Sequence, residues 1–204
     1  VAGKQRLSPV YMEIKAVRWE QQNGESVYVK QSDIVISPPF ALISPGKRQL
    51  IRLMKNQAVP QGQEHAYRII IDEVPQAAGN AGEPTIGINF QMRYSVPLFV
   101  NGAGLTSRQD AVNKDTVLAR PALSYRVTQG KNGSQLEVTN TGTVHARLSG
   151  LSSTAGSSVI EGLVGYVLPH ATMSFPLPKG KNPGRGSLQA IVNSDREPTR
   201  LAQH

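Results

Sequence analysis

Ile86-Gly87-Ile88-Asn89-Phe90-Gln91-Met92-Arg93-Tyr94-Ser95-Val96-Pro97-Leu98-Phe99-Val100 is the longest strand candidate in the chain, and the reading of the fold turns on it. The even positions from Ile86 to Val96 are Ile86, Ile88, Phe90, Met92, Tyr94 and Val96, all large and apolar or aromatic. The odd positions are Gly87, Asn89, Gln91, Arg93 and Ser95. Successive side chains of a β-strand point to opposite faces, so one face here is a continuous apolar ridge and the other is polar. The alternation alone leaves two readings open. Either the ridge packs inside its own sandwich, or it is offered to another polypeptide.

The stretches on either side repeat the same grammar. Val10–Ala16 alternates apolar and polar residues, as a half-buried strand does. Asn23-Gly24 signals a hairpin before Ser26-Val27-Tyr28-Val29. Asp33-Ile34-Val35-Ile36-Ser37 runs into Pro38-Pro39, which ends ladder pairing because proline has no N–H to donate. Ser44-Pro45-Gly46 is a turn before Gln49-Leu50-Ile51-Arg52-Leu53. Tyr67–Pro75 carries consecutive apolar residues, as a central strand covered on both faces would. A loop over Gln76–Pro84 then leads into the Ile86–Val100 strand, and Asn101–Asp115, polar and glycine-containing, is the interdomain linker.

Beyond the linker, strands are expected at Ser124–Val127, Gln135–Asn140, Val144–Leu151, Gly165–Leu168, Thr172–Leu177, Ser187–Ser194 and Thr199–Ala202. Short strands at this spacing, with no convincing helical periodicity, predict an all-β chain of two immunoglobulin-like β-sandwich domains. The expected boundaries are 1–107 and 108–204, and 204 residues suit two domains of about 100 each. Gly3–Pro9 reads as the turn into Val10–Ala16, so the first strand of the first domain is expected to be missing from the chain.

Composition excludes several kinds of chemistry. There is no cysteine, which removes thiol catalysis, thiolate metal sites and disulfides. His65, His145, His170 and His204 are far apart and lack ligand spacing, so no metal and no cofactor is expected. No nucleophile elbow or phosphate-binding loop is present, and Asp72-Glu73 point to opposite faces of their strand. No catalytic residue is expected, and the chain reads as a binding protein, not an enzyme. The net charge of +8 suits a nucleic acid, a membrane surface or an acidic protein partner. Nucleic acid is not expected, because the basic residues are scattered and the aromatics, only 5%, do not interleave with them. No run of eighteen apolar residues exists, so membrane insertion is not expected.

Pro38-Pro39 with Leu42, Ser44-Pro45-Gly46 and Leu50-Ile51-Arg52-Leu53 forms one motif. Tyr67-Arg68-Ile69-Ile70-Ile71-Asp72-Glu73-Val74-Pro75 is a second, and Ile88, Phe90 and Met92 followed by Val96-Pro97-Leu98-Phe99 is a third. In this order and spacing the three resemble the PapD-like family of pilus periplasmic chaperones. Weaker matches, Asn140-Thr141-Gly142 and Leu168-Pro169, extend the resemblance into the second half. It implies donor-strand complementation, a form of strand addition in which the chaperone's strand fills the groove of a pilus subunit that lacks its own last strand. On that implication 86–100 is the donor strand, with Ile86, Ile88, Phe90 and Met92 as the pocket-filling residues. The partners implied are pilus subunits (pilins) and an outer-membrane usher, and the location implied is the periplasm. Burying the ridge when no subunit is bound calls for self-association of the free chaperone. The competing expectation is a structural or adhesive immunoglobulin-like surface module whose Ile86–Val96 strand is merely core.

Two positions depart from the family pattern. Pro97 stands where the best-known members carry a lysine that holds the subunit's terminal carboxylate. Arg93, on the polar face of the same strand, is the substitute anchor, because its planar fork can grip a carboxylate at two points. Asn101 replaces an interdomain arginine. Absence of the lysine and of all cysteines resembles the archaic, Csu-like branch.

Overall fold

The computed structural model describes residues 9–75, 91–106, 119–130, 133–181 and 186–204. Two compact units emerge. Val1–Trp19, Tyr28–Ala58 and Ala66–Phe99 make the first, and Glu20–Val27, Val59–His65 and Val100–His204 make the second. The expected boundary at 107/108 and the expected loop over Gln76–Pro84 lie outside the described residues, as does the linker beyond residue 106. Among the described residues every element is a strand.

The strands of the N-terminal half are β1 (Val10–Gln22), β2 (Glu25–Val29), β3 (Ile34–Ser37), β4 (Phe40–Ile43), β5 (Arg52–Lys55), β6 (Glu64–Val74) and β7 (Arg93–Asn101). One sheet has the order β2-β1-β6-β7, with β4 also pairing β1, and β3 pairs β5 in a second. Asn23 and Gly24 close the β1–β2 hairpin with φ of 53° and 81°, the positive values that a two-residue turn matching strand twist requires. Pro38-Pro39 separates β3 from β4, as expected from the missing N–H groups. β6 is central, flanked by β1 and β7, but its faces are not uniformly covered: Tyr67 and Ile69 are buried while Val74 is exposed.

The β1–β6 register sets Ile14 opposite Ile71 and Ala16 opposite Ile69 on one face, and Glu13 opposite Asp72 on the other. Ile14, Ala41 and Ile69 centre the first unit's core, with Met12, Ile36, Ile43, Ile51, Ile71 and Leu98 packed against them. Where that face leaves the aliphatic cluster it becomes polar. Arg18 donates to Asp33 at 3.2 Å and to the Tyr67 hydroxyl at 3.1 Å, and that hydroxyl donates to Asp33 at 2.8 Å.

The C-terminal half contributes β8 (Leu123–Gly130), β9 (Gly133–Asn140), β10 (Ala146–Ser153), β11 (Ser158–Val167), β12 (Ala171–Pro176), β13 (Leu188–Val192), β14 (Thr199–Arg200) and β15 (Ala202–Gln203). They form two four-stranded sheets, β11-β10-β13-β14 and β12-β9-β8-β15. Leu136, Val138, Leu148, Leu151, Val167 and Leu188 are wholly buried in the core of this sandwich. Asn140 is buried with them at no cost in unpaired groups. Its carbonyl oxygen accepts from Ala122 N and Gly142 N, and its amide donates to Val144 O and Val167 O. Both units are immunoglobulin-like sandwiches, the fold expected from the strand spacing.

β11 starts at Ser158, seven residues before the expected Gly165 (165 − 158). Its pairing with β10 is broken by register shifts, and Gly162 takes a φ of +72°. Those irregularities interrupt the alternation from which a strand is read. Asn101, expected to open the linker, instead ends β7.

Candidate functional site

The site is built on β7, which lies at the end of its sheet among the described residues. Three side chains fix which way the strand's residues point. Arg93 grips Asp72, which shares its face with Glu13, and Phe99 packs against Trp19 at 6.0 Å between ring centroids. Leu98 joins the core on the opposite face. Odd residues therefore share the face of Glu13 and Asp72, and even residues share the face of Ile14 and Ile69.

That even face does not stop where the core stops. Met92, Tyr94 and Val96 lie on it and remain 42%, 45% and 48% exposed. The Tyr94 hydroxyl reaches back to Met92 Sδ at 3.4 Å, so the two project side by side. A sheet edge offers unpaired backbone groups, and here it also offers an apolar row, the combination used when a second chain adds a strand.

Of the residues expected to fill pockets, Ile86, Ile88 and Phe90 lie outside the described residues. Met92 is placed on the exposed even face, just before the strand begins. Tyr94 and Val96 were not assigned a role by sequence reasoning, although the same alternation contains them. The motif that carried the role ended at Met92, and the alternation beyond it was absorbed into the strand's own body.

Arg93 is engaged within its own unit. Its Nη2 donates to Asp72 Oδ2 at 3.0 Å and its Nε to Asp72 Oδ1, while Lys15 Nζ stands 3.2 Å from the same carboxylate. The bond from Arg93 holds the Asp72 carboxyl below the usual carboxylate range, with Lys15 adding to it and burial opposing. Asp72 in turn raises Arg93 further above its already high value. Asp72 and Glu73 lie on opposite faces of β6, as expected.

Elsewhere, Glu64 accepts from His145 N at 2.8 Å and lies 2.9 Å from His145 Nδ1, a buried carboxylate held by one residue. A hollow of about 380 Å³ is lined by Arg126, Glu137, Thr139, Thr172 and His204, and its cation and carboxylate are bonded to each other. Among the described residues, no group of three His, Cys, Asp or Glu could hold a metal ion, and no helix is long and apolar enough to cross a membrane.

Residues 4–106 match the family model described as the pili and flagellar-assembly chaperone, PapD N-terminal domain. No curated protein matches the chain. Among solved structures, the CsuC–CsuE chaperone–tip adhesion subunit pre-assembly complex from archaic chaperone-usher Csu pili of Acinetobacter baumannii contains a chain 30% identical to this one. That match has a TM-score of 0.78 and covers 98% of this chain and 88% of the other. The Pseudomonas aeruginosa CupB2 chaperone is 18% identical with a TM-score of 0.57, covering 100% and 90%. The Salmonella enterica SafA pilin in complex with the SafB chaperone gives 14% identity and a TM-score of 0.61, covering 97% and 85%. At those identities the last two matches speak for the fold alone.

Proposed function

The chain belongs to the family of pili and flagellar-assembly chaperones, and from that premise we propose that it captures pilus subunits by donor-strand complementation in the periplasm and delivers them to an outer-membrane usher. One observation carries the proposal: the apolar face of β7 runs past its own core into solvent at a sheet edge. A subunit that lacks a strand needs both things this edge supplies, ladder hydrogen bonds and side chains for empty pockets.

Ile86, Ile88, Phe90 and Met92 are the pocket-filling residues, and Tyr94 and Val96 continue their row. Each large side chain fully buried contributes about 1.5–3 kcal/mol, so four supply roughly 6–12 kcal/mol before association costs. That is enough to hold a subunit that cannot complete its own sandwich. When no subunit is bound, a second copy covers the ridge. The subunits are those of an archaic, Csu-like pilus, the class of the 30%-identical match.

The test is co-expression with the pilus subunit encoded beside it. A stable one-to-one complex and a higher subunit yield are expected. Ile88→Asp and Phe90→Asp abolish the complex and leave the chaperone's melting temperature unchanged. If both variants unfold with no defect specific to binding, the strand is core and the chain is a structural or adhesive module.

A further inference from the structure

β6 and β7 are fastened at one point by bonds on consecutive residues. The Glu73 N–H donates to the Met92 carbonyl at 2.9 Å, and the Met92 N–H lies 3.3 Å from Glu73 Oε2. Beside them, Arg93 grips both oxygens of Asp72, and Lys15 holds that carboxylate from β1. A slip of one residue would turn Met92, Tyr94 and Val96 to the face of Glu13 and Asp72 and Arg93 toward the core.

We propose that Asp72 and Glu73 form a register clamp that sets the start of β7, so that its even side chains project toward the subunit. This rests on β7 being the subunit-binding edge. Asp72 is a positioning residue: it acts through Arg93 and does not touch the subunit. Two features favour a clamp over a receptor for the subunit's own carboxylate. Arg93 already spends Nε and Nη2 on Asp72. The cluster of Lys15, Arg93, Asp72 and Glu13 also carries two positive and two negative charges, so an incoming anion meets no net attraction. Exposed ion pairs contribute little to global stability. The clamp's effect is on direction, and a change of direction matters most to a partner with pockets at fixed spacing.

The experiment compares wild type, Asp72→Asn, Arg93→Gln and the double variant for affinity toward the pilus subunit encoded beside the chaperone. Each single change lowers affinity about tenfold, and the double variant is no worse than either single, as expected for two halves of one contact. Melting temperatures stay within about 2 °C of wild type. Amide exchange in the free protein quickens at Met92 and the first residues of β7 in Asp72→Asn. If Asp72→Asn binds the subunit as well as or better than wild type, the clamp is wrong and Arg93 is a charge anchor that Asp72 screens. Additive losses, or unchanged exchange rates, overturn it equally. Were wild type to capture no subunit, the reading of the edge would fail while the exchange rates still decided the clamp.

Discussion

The second unit seals a full set of core leucines between its sheets and exposes only scattered apolar residues such as Leu163 among the described residues, whereas the first leaves a row of large apolar side chains in water. Leu136, Leu148, Leu151 and Leu188 have no solvent exposure between their two four-stranded sheets. In the first unit, among the described residues, Ile14, Ala41 and Ile69 are the buried anchors of the cluster, and Phe40, Leu42, Met92, Tyr94 and Val96 stay exposed. Both units are written in the same alternation. That pattern says a face is to be buried; it does not say by what. In the second unit the opposite sheet does the burying. On β7 the even face is left uncovered at Met92, Tyr94 and Val96, and an exposed apolar row on a sheet edge is a liability unless a partner covers it.

This contrast can be broken or sharpened by substitution. The largest effect is expected at Leu148, where Leu148→Ala lowers the stability of the second unit by about 3–5 kcal/mol in chemical denaturation. A loss below about 1 kcal/mol would mean the core is looser than its burial indicates.

Tyr67→Phe comes next, at about 1–3 kcal/mol, because Asp33 loses a hydrogen-bond donor. Burial, and then the bond to Asp33, push the Tyr67 hydroxyl up to about 12. The unfolded chain releases this proton first, near pH 10, so stability is intact below that and falls as pH rises toward 12. Subtracting the variant's alkaline profile from wild type should isolate this slope, about 1.4 kcal/mol per pH unit at most.

Met92→Ala and Tyr94→Ala invert the pattern seen at Leu148. Each should change stability by less than about 0.5 kcal/mol yet weaken subunit binding about tenfold or more. Equal losses in folding and binding would return the ridge to the core.

The smallest effect is acidic. Asp72, depressed by Arg93, contributes stability above the unfolded value near 3.8, and the contribution fades as pH falls through its lower folded value. Asp72→Asn should remove that part of the acid profile, measured as melting temperature between pH 5 and pH 2.

The sandwiches were legible because their signals are local. Asn23-Gly24 dictates a hairpin, and Pro38-Pro39 dictates a break. β11 was half missed because Gly162 and the register shifts along it hide its alternation. The site was legible in outline, from the even ridge and the motifs around it. The engagement of Arg93 was not, because Asp72 lies twenty-one residues away and is brought beside it only by sheet pairing. Nor did alternation distinguish Tyr94 and Val96, exposed, from Leu98, in the core on the same face.

Hydroxyl-radical footprinting of Met92 and Tyr94, in the free chaperone and in its complex with a co-purified pilus subunit, tests the central claim most directly. Methionine is readily oxidised where solvent reaches it. Heavy oxidation of the free chain, diluted until no second copy covers the ridge, and strong protection in the complex are the predicted result. Equal modification in both states would mean that no foreign strand's groove receives this row.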